Sequence, residues 1–126
     1  PESLNPNPKY LEYAKSKNIL VNIDPDPENA IKDADLIMTD TWSSMHQKKE
    51  LNYEARQKQL IPFQVNEQLI SKSKDEAIFM HCLPAYRGQE VTSDVIDGKK
   101  SVVFDQAENR LHIQKSILEW CISGRL

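Results

Sequence analysis

Four short apolar runs, Ile19–Ile23, Leu36–Thr39, Ala77–Met80 and Ser101–Phe104, alternate with stretches of helical character. A run of four or five apolar residues is too short for a buried helix and reads as a strand buried on both faces. Strands that recur with helices between them predict a parallel sheet under helices, because a parallel neighbour is reached only through a crossover. The expectation is therefore an α/β, three-layer αβα domain with no internal repeat.

Boundaries follow from turn and cap chemistry. Pro1–Pro8 is a loop leading into a helix over Lys9–Ser16, with Tyr10, Leu11, Tyr13 and Ala14 on one face. Asp24-Pro25-Asp26-Pro27 stops the first strand, and Asp26 before Pro27 caps a short helix through Ile31-Lys32. A charged helical stretch is predicted from Gln47 to about Gln59, broken at Ile61-Pro62-Phe63. Asn66 caps Glu67–Ser71, and Thr92 or Ser93 caps a short helix ended by Gly98. The last helix is expected from about Glu108 to Ser123, with Ile113, Ile117, Leu118 and Cys121 on a face that must pack on something.

At 126 residues the chain holds one modest core. Its 39% hydrophobic and 28% charged content suits a soluble domain, and a net charge of −3 without like-charge blocks predicts no nucleic-acid partner. No apolar run reaches the roughly 18 residues of a membrane span. The Pro1–Pro6 start has no signal pattern, so the expected location is cytoplasmic. Three glycines cannot build a phosphate-cradling loop.

Chemistry concentrates at the run Ala77-Ile78-Phe79-Met80-His81-Cys82-Leu83-Pro84, where an apolar strand ends in imidazole and thiol. Ligands of open parallel sheets sit beyond the carboxyl ends of strands. Right-handed crossovers would bring three such ends to one edge: Asp40–Met45, His81–Arg87 and Asp105–Arg110. There Asp40 would hold an ammonium group, Ser44 would offer a hydroxyl, and Arg110 would stabilise developing negative charge. Arg110 in a first helical turn would oppose the helix dipole, which favours a ligand-directed role. Asp40 also fits a simple turn or cap, and Cys82 a small buried hydrophobe. Tyr86-Arg87-Gly88 reads as a turn, His46 as surface and His112 as structural. A zinc site from His81, Cys82, His112 and Cys121 is disfavoured by spacing, so neither metal nor cofactor is expected.

His81-Cys82-Leu83-Pro84-Ala85, then Arg87-Gly88-Gln89-Glu90-Val91-Thr92, then Val103–His112 closely resemble the ornithine carbamoyltransferase family, and Asp40-Thr41-Trp42-Ser43-Ser44-Met45 resembles its ornithine-binding loop. The resemblance runs from about Asn5 to Leu118. It implies a Rossmann-like fold and transfer of the carbamoyl group of carbamoyl phosphate to the ornithine side-chain amine. By motif, it gives Asp40 to that amine, Ser44 and Met45 to the amino-acid end, and Cys82 to acid–base work. The carbonyls of Cys82 and Leu83, with Arg110, would face the carbamoyl group, and Leu83-Pro84 would be cis. His46 stands where the family carries glycine. The family's carbamoyl-phosphate half and the strand that opens its ornithine half have no counterpart, so residues 1–126 resemble an incomplete C-terminal ornithine-binding domain, inactive alone. The complete enzyme implied is a cytoplasmic homotrimer of arginine biosynthesis that binds neither nucleic acid nor membrane. Carbamoyltransferases for putrescine or acylated ornithine, and an inactive binding fragment, are the alternatives.

Overall fold

The structure is a computed structural model that describes residues 1–43 and 52–124. Helix α1 spans Pro8–Ser16, α2 Pro27–Ala30, β1 Leu36–Thr39, α3 Tyr53–Leu60, α4 Glu67–Ile70, β2 Ile78–His81, α5 Ser93–Ile96 and α6 Val103–Ser123. Ser44, Met45 and His46, with the start of the stretch predicted from Gln47, lie outside the described residues.

Local signals act as predicted where a side chain can satisfy an orphan helix donor. Asn7 accepts from the backbone N–H of Lys9, Asp26 from that of Glu28, and Asn66 from that of Leu69. Thr92 does not follow this pattern. It occupies the position before α5, yet its buried hydroxyl makes no cap bond and has no partner among the described residues. Ile61–Phe63, predicted to break the helix before it, forms a short 3-10 turn.

β1 and β2 pair in parallel, Leu36 opposite Ile78 and Thr39 opposite His81. On the other side of β2 the ladder is brief: the N–H of Phe79 donates to Lys100 O (2.7 Å) and the N–H of Val102 donates to Phe79 O (3.0 Å). The strand predicted over Ser101–Phe104 is thus reduced to one bridge at Ser101, and the chain turns helical at Val103. This corrects the start of the last helix from about Glu108 to Val103, and it moves Arg110 out of the first turn. The helix wins because Val103, packed in the core with no exposure, already anchors its first turn there.

Phe79, with no exposed surface, is central to a core that gathers Ile37 of β1, Leu69 and Ile70 of α4, Val95 and Ile96 of α5, and Val103 of α6. β1 and β2 bury alternate residues, as period-two geometry requires. The opposite face differs, since Leu36, Met38 and Ile78 remain exposed.

Ile19–Ile23 is the second correction. It forms no strand, and Leu20 is 95% exposed. A strand exists only through a partner's ladder, and the described residues offer this run none. A shallow apolar concavity of about 630 Å³ lies instead between it and α1. The face of α6 carrying Ile113, Ile117, Leu118 and Cys121 is likewise exposed, so the packing expected of it is not made among the described residues.

Candidate functional site

Parallel pairing puts Thr39 opposite His81, so the next residue of each strand, Asp40 and Cys82, leave the sheet side by side. The Cys82 thiol donates to Asp40 Oδ1 at 3.3 Å. The backbone N–H of Thr41 donates to the same oxygen at 2.7 Å, as expected of an Asp that turns the chain out of a strand. Asp40 is thus the turn residue its position allows, and its carboxylate also faces the thiol. Cys82 is not a buried hydrophobe but half-exposed, and both cysteines are free thiols.

The electrostatics follow from these contacts. The Thr41 N–H, then the Cys82 thiol, hold the Asp40 carboxyl below the usual carboxylate range, with burial opposing weakly. Acceptance by Asp40 pushes the Cys82 thiol up, burial and the Asp40 charge adding to the shift, while the positive charge of Arg110 offsets part of it. At neutral pH the pair is thus a carboxylate and a donating thiol.

Three predicted strand ends meet at this edge in part. Asp40 and Cys82 come together, and Arg110, on the second turn of α6 rather than at a strand end, is near enough for its charge to act on the thiol. Leu83 follows Cys82 with φ of +53° and a cis bond to Pro84, the isomer expected. Its N–H donates to His81 Nδ1 at 2.9 Å. That bond places the ring lone pair on Nδ1 and the proton on Nε2, which lies 3.2 Å from Glu90 Oε1. His81 is consequently a buried support beneath the loop, not a group on its surface. Ser44 and Met45 lie outside the described residues, but their approach is held by α3: Arg56 Nε donates to Trp42 O (3.1 Å) and Gln57 Nε2 to Ser43 Oγ (3.3 Å). His112 is exposed on α6 beside Glu108, away from this cluster.

Two residues were not singled out by sequence reasoning. Glu90 is fully buried; its Oε1 also accepts from the Tyr86 N–H at 2.7 Å, and its Oε2 has no partner among the described residues. Gln106 sends its Oε1 to the backbone N–H of His81 at 3.0 Å. Neither bond obeys a local period, so only an acidic or amide residue in an otherwise apolar setting would have signalled them. The turn reading of Tyr86–Gly88 holds: Gly88 adopts φ of +83°, and Arg87 bonds Asp97 through both guanidinium nitrogens at 2.5 and 2.9 Å. Among the described residues no cluster of metal-binding side chains occurs, and no helix is long and apolar enough to cross a membrane.

The fold and the cluster define an α/β domain with polar side chains gathered at the carboxyl ends of parallel strands, the edge at which open parallel sheets hold ligands. Residues 1–121 match the family described as aspartate/ornithine carbamoyltransferase, Asp/Orn binding domain. The ornithine carbamoyltransferase of Roseobacter denitrificans is 50% identical over 123 residues, covering 98% of this chain and 40% of that protein. A Rhodopseudomonas palustris ornithine carbamoyltransferase is 52% identical, with 98% and 39% covered. Among solved structures, ornithine carbamoyltransferase from Pyrococcus furiosus superposes with a TM-score of 0.83 at 49% identity, covering 94% of this chain and 39% of that one. An N-acetyl-L-ornithine transcarbamylase gives 0.73 at 26% identity, with 90% and 36% covered. The chain belongs to the aspartate/ornithine carbamoyltransferase family. It spans about two fifths of the length of the curated relatives it matches.

Proposed function

We propose that this chain is the ornithine-binding part of an ornithine carbamoyltransferase, with residues 1–126 forming an incomplete C-terminal domain and the carbamoyl-phosphate-binding half lying elsewhere in the complete enzyme. The observation that carries the reading is the Asp40 carboxylate bonded to the Cys82 thiol at one strand edge, with the charge of Arg110 acting on that thiol. The chemistry requires such a set. Asp40 holds the side-chain ammonium, which displaces the thiol from Oδ1. Once the amine has lost its proton, its nitrogen attacks the carbamoyl carbon, and the bond from that carbon to the phosphate oxygen breaks. The first proton leaves through the Cys82 thiol, which passes its own proton to solvent as it takes up the amine's, the second is taken by the departing phosphate, and Arg110 meets the negative charge that grows on the carbamoyl oxygen. The carbonyls of Cys82 and Leu83 orient the carbamoyl amide, while Ser44 and Met45 contact the amino-acid end.

Ornithine is favoured over an acylated ornithine by the identities, about half with ornithine carbamoyltransferases against 26% with the N-acetyl-L-ornithine enzyme. The complete protein is read as a cytoplasmic homotrimer of arginine biosynthesis with no nucleic-acid or membrane partner. The test gives the complete enzyme carbamoyl phosphate with ornithine, putrescine, N-acetylornithine or aspartate and follows carbamoylated product. Citrulline from ornithine alone is expected, and preferred carbamoylation of another amine would overturn the assignment. In the same assay Asp40→Ala and Cys82→Ala should each lower kcat/KM by roughly 10²- to 10⁴-fold while thermal unfolding changes little.

A further inference from the structure

The third strand position beside β2 departs from its sequence pattern next to the candidate site, and the departure leaves a donor to be satisfied. In a parallel ladder the N–H groups that point to one neighbour recur at every second residue. After Phe79, whose N–H donates to Lys100 O, the next N–H on that side belongs to His81. A continuing strand would meet it with a backbone carbonyl. Because the chain becomes helical at Val103, the side-chain carbonyl of Gln106 meets it instead, at 3.0 Å. Gln106 is half-buried there, although α6 as a whole buries only Val103.

Arg110 lies four residues on, one turn further along the same face of α6. The His81 N–H, in turn, is the last backbone donor before Cys82. One hydrogen bond therefore ties the helix that carries the guanidinium to the strand end that carries the thiol. Val103 in the core and the Val102 N–H on Phe79 O fix the start of α6, and Gln106 adds a directional contact one turn further along, nearer Arg110.

We propose that Gln106 is a positioning residue of the site, setting the rotation and height of α6 so that Arg110 is held over the Cys82 loop. This rests on the carbamoyl-transfer reading above only in what Arg110 then acts upon. An amide suits the task better than a hydrophobe, which would leave the His81 N–H unpaired at a half-buried position.

The test uses the complete enzyme, with Gln106→Leu, Gln106→Glu, Arg110→Gln and the double variant Gln106→Leu/Arg110→Gln. Two readouts are taken: steady-state kinetics, and the pH dependence of Cys82 alkylation by iodoacetamide, read on its peptide by mass spectrometry. Cys82 is faced by Asp40 at the end of β1 and by the charge of Arg110 on α6, while the buried His81 ring acts on Asp40, so loss of Arg110's charge must move that profile to higher pH. Gln106→Leu is expected to lower kcat about tenfold to a hundredfold, as displacements of order 1 Å do, with KM for the amino acid close to the parent. It should also move the alkylation profile in the direction of Arg110→Gln, and the double variant should move it no further. Gln106→Glu keeps an acceptor for His81 and should recover most of the lost kcat. An unchanged profile in a folded Gln106→Leu, or a Gln106→Glu variant as impaired as Gln106→Leu, would overturn the proposal. A parent enzyme that carbamoylates no amine, while Gln106→Leu still shifts the profile, would sink the functional reading and leave the tether standing.

Discussion

At the scale of the residue, the decisive contact is between Cys82 and Asp40, 42 positions apart in sequence and 3.3 Å apart in space. Its physical effect is reciprocal: the carboxylate is favoured and the thiolate disfavoured. A folded-state thiol raised above its unfolded value contributes stability that is complete below the unfolded value and is lost as pH rises through the folded one. The window therefore lies on the alkaline side of the ordinary thiol range. Asp40→Asn removes the charge and weakens the acceptor, so alkylation of Cys82 should begin at lower pH than in the parent. A profile that stays in place would show that Asp40 does not hold the proton on sulfur. The sequence placed Asp40, Cys82 and Arg110 at one edge without distances. It could not place His81 beneath the loop, because the Nδ1 bond to Leu83 and the Nε2 contact with Glu90 depend on how residues 83–90 fold back.

At the scale of the element, the caps were the most legible features and the strands the least. An N-cap is settled within four residues, so Asn66 could be assigned from its neighbours, and Asn66→Ala should cost about 1 kcal/mol in denaturant unfolding. α5 ends at a different kind of constraint. A Cβ at Gly98 would lie 2.4 Å from Asp94 O, which is backbone and cannot swing aside. Gly98→Ala should accordingly destabilise by an amount typical of overpacking, about 1–3 kcal/mol, and a stability equal to the parent would mean the α5 turn relaxes freely. Strands behaved differently: Leu36–Thr39 and Ile78–His81 found each other, while Ile19–Ile23, equally apolar, found no ladder.

For the whole molecule, the described residues leave much apolar surface outside the core: Leu36 and Met38 on the sheet, Leu20 in the run after α1, and Ile113, Ile117 and Leu118 on α6. Exposed apolar side chains on three elements are characteristic of faces that are covered in a functional assembly. The isolated chain should therefore bind an apolar dye strongly and self-associate in light scattering, and the complete enzyme should do neither. Equal dye binding by both would mean that these faces are exposed in the enzyme as well.

Three kinds of information were present in the order of residues: helix caps, the alternation that makes an α/β domain, and the polar groups that end its strands. Each is carried by neighbours a few positions apart, within reach of a turn or a side-chain hydrogen bond. Whether an apolar run becomes a strand was decided elsewhere, since a ladder needs a partner from another part of the chain. The same holds for the site. Asp40 and Cys82 meet through the register of β1 on β2, and Arg110 reaches them because Val103 packs into the core and turns the third strand into a helix. Both are outcomes of packing between segments far apart in sequence, which no local pattern specifies.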